Sequence, residues 1–152
     1  MKTILTLALV ILLSACKSDG PVLVSPDNPN IAYIGRFDMS DPLQPAFMCS
    51  GCAIRAKFSG TSVEMIMKDD SLRTIFTIVL DDSVFVLAAN EPDSTYLLAS
   101  GLKDTIHSLN IIRRAEWHAG NNEFLGLRLD PGSKIFPAEV SDRVIEFIGF
   151  QV

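Results

Sequence analysis

The chain has 152 residues, 48% of them hydrophobic and 20% charged, with 18 acidic against 13 basic side chains and a net charge of −5. That composition is globular and the length suits one domain. The acidic balance argues against nucleic acid or an anionic lipid surface as a partner held by charge.

Met1-Lys2-Thr3 is a short basic start, and Ile4 to Leu13 is apolar except for Thr6. At about 1.5 Å per helical residue this run reaches about 15 Å, half of a hydrocarbon core near 30 Å. Residues 1–15 therefore read as a secretory signal and not as a membrane span. Leu13-Ser14-Ala15-Cys16 resembles the bacterial lipobox. The resemblance implies lipidation of Cys16 and an exported chain held to the membrane of the bacterial cell envelope by acyl chains. Loss of Lys2 with the signal leaves the mature chain one unit more negative. Residues 16–30, rich in Pro, Asp, Ser and Asn, read as a surface tether.

Beyond the tether, short runs follow at the period of two that marks strands. Ile54, Ala56 and Phe58 face one way, Arg55 and Lys57 the other, and Ser59-Gly60 turns the chain into Val63–Lys68. Thr74–Leu80 is apolar on both faces, as suits a central strand, and Asp81-Asp82-Ser83 turns it into Val84–Leu87. Tyr96-Leu97-Leu98 comes next, then Ile106–Arg113 with His107, Leu109 and Ile111 on one face. Phe124–Leu129 groups Leu125, Leu127 and Leu129, and Asp130-Pro131-Gly132-Ser133 is a turn in which Pro sets φ and Gly accepts a positive one. Helical spacing is not evident after residue 16, so the expected class is all-β, a sandwich or a jelly roll.

Three groups of residues invite chemistry. Cys49-Ser50-Gly51-Cys52 has redox or zinc spacing, but no second pair supplies zinc with four ligands. In extended chain the two Cα atoms would stand about 10 Å apart, beyond the roughly 7 Å limit of a disulfide, whereas a turn at Gly51 would bring them together. Packed thiols and a local Cys49–Cys52 disulfide both remain open. The carboxylates Asp69-Asp70 and Asp81-Asp82 fall at strand ends, where short acids favour turns, and they lack the ligand spacing of a calcium loop. The expectation is no metal and no cofactor.

A serine hydrolase needs a base beside its nucleophile, and the chain offers two histidines. His107 lies within a strand, and His118 lies in the loop Trp117-His118-Ala119-Gly120-Asn121-Asn122. Gly-x-Ser-x-Gly is absent, and Ser50 before Gly51 has no identifiable partner. The lone tryptophan, Trp117, could stack on a sugar ring while neighbouring amides bond its hydroxyls, or it could cover the core or pack on another domain. Trp117, His118, Asn121 and Tyr33 are the candidate contacts to a glycan or a domain interface.

The strands also carry a family resemblance. Gly35-Arg36-Phe37-Asp38, Cys49–Val63 (CSGCAIRAKFSGTSV), Leu98–Asp104 with the strand that follows to Glu116, and Phe124–Asp130 resemble the amino-terminal jelly-roll domain of family two carbohydrate esterases. Arg143–Gly149 is similar to the strand that leads out of that domain, so the likeness covers roughly residues 31–149. Cys49 departs from it, standing where the family usually has an aromatic. In such esterases the jelly roll precedes an SGNH hydrolase domain that removes acetyl groups from plant polysaccharides such as xylan. That domain opens with Gly-Asp-Ser, whereas here Gly149 is followed by Phe150, Gln151 and Val152. No catalytic residue carries over. The resemblance implies a non-catalytic accessory domain from a truncated or split esterase, with an SGNH domain or a polysaccharide as partner. An independent carbohydrate-binding or surface-display module is the alternative.

Overall fold

The computed structural model describes residues 20–70, 73–114 and 120–140. Eleven strands lie in this part: β1 (Val22–Val24), β2 (Ala32–Ile34), β3 (Ala46–Phe47), β4 (Ala53–Gly60), β5 (Val63–Asp69), β6 (Thr74–Leu80), β7 (Ser83–Ala89), β8 (Asp93–Ala99), β9 (Thr105–Arg113), β10 (Asn122–Leu129) and β11 (Ile135–Phe136). They form two antiparallel sheets. One runs β1-β10-β5-β8 with β3 also on β10, and the other runs β11-β4-β9-β6-β7 with β2 also on β4. The all-β jelly-roll sandwich expected from the alternation is the observed class.

Consecutive strands nearly always sit in opposite sheets. Only β6 and β7 pair as a hairpin, through Asp81-Asp82, with Leu80 opposite Ser83. Each of the other connections is a corner, so the sheets are wound together by the chain itself. Ser59 and Gly60 end β4, and Thr61-Ser62 make such a corner, which carries β5 to the opposite sheet instead of laying it beside β4. Asp130 pins it, its Oδ2 accepting from the Thr61 backbone at 2.7 Å and from the Thr61 hydroxyl, and its Oδ1 from the Ser62 hydroxyl.

The core is the filling between the two inner faces. Phe58, Met65, Met67, Phe76, Ile78, Leu109, Ile111 and Phe124 are all but sealed from solvent. Burying each such side chain contributes about 1.5–3 kcal/mol, and the alternation in β4, β5, β6 and β9 supplies them every second residue. On the outside, cross-strand ion pairs link β5 to β10, Lys68 with Glu123 at 3.0 Å and Glu64 with Arg128.

Three sequence expectations need correction. The tether is shorter than residues 16–30, because Val22–Val24 pairs with Leu129–Leu127 of β10 and Val24 enters the core. Residues 16–19 lie outside the described part. Leu125 does not join Leu127 and Leu129. A β-bulge between Phe124 and Gly126 shifts the alternation, so Phe124, Leu127 and Leu129 point inward and Leu125 lines an outer cavity with Leu23 and Ile66. Third, only one face of Thr74–Leu80 is buried. Phe76, Ile78 and Leu80 are in the core, while Ile75 is exposed on the outer face.

Candidate functional site

One end of the sandwich is built around a single buried cation. Arg113 closes β9 at 1% exposure, on the same face as His107, Leu109 and Ile111. Its Nε donates to Asn122 Oδ1 at 2.8 Å, its Nη2 to the Gly120 carbonyl at 2.9 Å, and its Nη1 to the Met48 carbonyl. Asn122 Nδ2 then donates to Thr74 Oγ1 at 3.1 Å, and the Thr74 amide donates to Asp69 Oδ2 at 3.2 Å. A planar guanidinium has donors enough to tie several loop carbonyls at once, which an ammonium cannot do with the same geometry. Four segments distant in sequence thus share one polar network: residues 48–52, the end of β5, the start of β6 and the approach to β10.

The Cys49–Cys52 segment is part of this end. The Gly51 amide donates to the Arg113 carbonyl at 2.8 Å, the Arg113 amide to the Cys52 carbonyl at 2.9 Å, and the Ser50 hydroxyl to the Arg114 carbonyl at 3.2 Å. Ser50 is therefore bound to backbone and not to a base. Cys49 and Cys52 carry free thiols here, the first half-buried and the second buried.

Asn121 stands between two cavities. Arg36, Asp38, Phe47, Met48, Cys49 and Asn121 line one of about 240 Å³. Asp69, Asp70, Pro92, Asp93, Asn121 and Glu123 are on the wall of the other, of about 290 Å³. Asn121 is held in place through its backbone, which donates to Asp70 Oδ1 at 2.8 Å. Trp117 and His118 belong to residues 115–119, outside the described part, although the flanking Arg114 and Gly120 carbonyls are both anchored here.

Tyr33 is not at this opening. Its hydroxyl donates to the Pro26 carbonyl at 2.8 Å, and its half-buried ring packs edge-on to Phe37 at 5.0 Å and Phe124 at 6.2 Å. Burial, with the Asp27 charge adding to it, pushes the phenol well above its ordinary pKa. Tyr33 thus serves packing. It reaches the site only indirectly, through Phe37 on Phe47, which lines the smaller cavity.

The opposite end is a set of closed corners. His107, almost wholly buried, sets Nδ1 2.7 Å from Asp81 Oδ2 and Nε2 2.8 Å from the Lys103 carbonyl. Both ring nitrogens face acceptors, so the doubly protonated imidazolium is the species that satisfies the pocket. Burial opposes that charge, but Asp81 and the Lys103 carbonyl outweigh it and hold the ring above its ordinary pKa. His107 is committed to structure and is not a free base. A cavity of about 380 Å³ at this end is lined by Asp104 and Asp130, but the Asp130 oxygens are already taken by Thr61 and Ser62. Among the described residues no cluster of three or more His, Cys, Asp or Glu side chains is placed to hold a metal.

Arg113 was the residue organising this end that sequence reasoning passed over. Its signal was present: an arginine continuing the inward face of His107, Leu109 and Ile111 must find acceptors inside.

The class is thus a jelly-roll sandwich domain with one polar, loop-built end and one end sealed by corners. Residues 33–138 match the family described as Carbohydrate esterase 2 N-terminal, and the chain belongs to that family. It is 35% identical over 123 residues to the cellulase/esterase CelE of Acetivibrio thermocellus, a match that takes in 81% of this chain and 15% of that protein. Among solved structures, a family two carbohydrate esterase from Clostridium thermocellum in complex with cellohexaose superposes with a TM-score of 0.67 at 32% identity, over 72% of this chain and 34% of that one. A family two carbohydrate esterase from Cellvibrio japonicus shares the fold, with a TM-score of 0.73 at 19% identity, over 80% of this chain and 36% of the other. The chain spans about a third of these esterases' length.

Proposed function

We propose that the chain is a non-catalytic accessory jelly-roll domain of a carbohydrate acetyl esterase, working against an SGNH hydrolase domain, linked or separate, in plant polysaccharide deacetylation. The observation that carries this is the outer face of β6 and β7. Ile75 pairs with Ala88, Thr77 with Val86 and Val79 with Val84, all pointing away from the core. Val84 is 66% exposed, Val86 57% and Ile75 41%, with no charged side chain in the set. Ile112 and Asn110 of β9 continue the face beside Thr77 and Val79. An uncharged patch of this kind on an edge strand suits a packed neighbour better than water.

The site chemistry supports the accessory role. His107 is paired with Asp81, Ser50 is bound to backbone, and the Arg113 guanidinium is spent on loop carbonyls. In this reading the chain reaches the bacterial cell envelope as a lipoprotein acylated at Cys16, supported by Ile4–Leu13 and the Leu-Ser-Ala-Cys sequence. Labelled palmitate should enter the chain and be lost in Cys16→Ala.

The second reading, an independent carbohydrate-binding module, rests on the cavities around Asn121, with Arg36, Asp38 and exposed Met48 on the wall of one. Two titrations separate the readings. The chain alone should show no acetyl release from acetylated xylan and should bind a family two SGNH hydrolase domain produced without its own jelly roll. Binding of xylan or cellohexaose that drops in Trp117→Ala, without hydrolase binding, would favour the module.

A further inference from the structure

The Cys49–Cys52 turn is placed to act as more than packing. Cys52 N donates to the Cys49 carbonyl at 3.4 Å, and Gly51 takes φ +84° with open space where a Cβ would be. The chain is therefore turned and not extended across these four residues. A turn of this kind holds its end Cα atoms within about 7 Å, which overlaps the roughly 4.4–6.8 Å a disulfide spans. β9 clamps the turn from one side, through the Arg113 carbonyl and amide and the Arg114 carbonyl. Closing the pair needs no rearrangement of the sheet.

The two thiols differ in access. Cys49 is half-buried on the wall of the cavity shared with Arg36, Asp38 and Asn121. Cys52 is buried behind it, its Sγ donating to the Arg36 carbonyl at 3.3 Å and lying against Gly35, where an added Cβ would meet it at 3.1 Å. We propose that Cys49 and Cys52 are an entry thiol and a resolving thiol, closed to a disulfide by exchange with a small disulfide of the glutathione class. Cys49 thiolate attacks one sulfur of glutathione disulfide, giving a mixed disulfide and one glutathione thiolate. Cys52 then attacks the Cys49 sulfur and expels the second glutathione. Two electrons pass to the oxidant, and the two thiol protons go to the departing thiolates. Burial, the largest influence on it, keeps the Cys52 thiol above its ordinary pKa, consistent with Cys49 reacting first.

Closure takes the Cys52 donor from the Arg36 carbonyl and turns Cys49 away from the cavity wall. The oxidation state is thereby coupled to the opening around Asn121. The test treats the folded chain with glutathione disulfide, alkylates it with iodoacetamide and digests it with trypsin. Cleavage after Arg36 and Arg55 leaves both cysteines in the peptide Phe37–Arg55. That peptide should lack two hydrogens and take no alkyl group. Cys52→Ser should hold one glutathione on Cys49, and Cys49→Ser should leave Cys52 unmodified. A doubly alkylated wild-type peptide, a lasting glutathione adduct on wild-type Cys49, or a bridge from Cys49 to Cys16 would each overturn the assignment.

Discussion

Arg113 Nε donates to Asn122 Oδ1 at 2.8 Å in the interior of the sandwich end, joining the last residue of β9 to the first of β10. The segment between these two strands includes Trp117 and His118, and this bond, with that from Nη2 to the Gly120 carbonyl, ties its two ends together. Removing the guanidinium would orphan Asn122 Oδ1 and the Met48 and Gly120 carbonyls together. Each buried orphan costs about 1–3 kcal/mol. Arg113→Met should therefore lower stability by about 3 kcal/mol or more, read as a shift of the urea midpoint with an unchanged slope.

The His107–Asp81 pair sets a pH dependence. His107 has a raised folded pKa, so its contribution is complete below its ordinary value of 6.5 and is lost as pH rises through the folded value. Asp81, where burial is outweighed by the Ser108 amide and His107, has a lowered one. Its contribution is present above the ordinary 3.8 and is lost as pH falls through the folded value. The pair stabilises most between those two ordinary values. His107→Gln should flatten that part of the stability–pH curve, measured as thermal midpoints across pH.

Gly126 sits in the β10 bulge at φ +123°, where an added Cβ would come 2.3 Å from the Val24 carbonyl oxygen. Gly126→Ala must push β1 away as well as strain its own backbone. A loss of about 2–4 kcal/mol is expected, in the range of severe backbone and overpacking changes. Faster proteolysis of residues 20–24 than in the parent would show that β1 is the part displaced.

Asp130 holds the β4–β5 corner through both oxygens, and the Ser62 and Thr61 hydroxyls keep its carboxyl below the ordinary pKa. Asp130→Ala should cost about 1–2 kcal/mol, the sum of modest net hydrogen bonds at a partly exposed corner. Asp130→Asn should recover part of the loss, since the amide oxygen still accepts. Chemical denaturation of both variants measures this.

The strands were legible because an alternating pattern has one physical meaning wherever one face is buried. His107, Leu109 and Ile111 went inward as the period required. Leu125 did not, because a bulge at Gly126 shifts the alternation, and the glycine inside the run was its only sequence signal. Sheet membership was likewise hidden: the turns after β4 and after β6 look alike in sequence, yet one is a corner and the other a hairpin. Val22 and Val24 were read as tether because the prolines and aspartates around them dominate the composition. Arg113 joins residues from 48 to 122, a convergence that only folding reveals. Tyr33, a candidate contact in sequence, has its hydroxyl tied to the Pro26 carbonyl.

The outer face of β6 and β7 is the proposed docking surface for a catalytic domain. Size-exclusion chromatography with light scattering, on the chain mixed with a family two SGNH hydrolase domain lacking its own jelly roll, tests this directly. Wild type should elute as a complex, and Val84→Lys with Val86→Lys should abolish it while circular dichroism stays unchanged. Separate elution of the wild-type chain and the hydrolase, or a complex untouched by the two lysines, would contradict it.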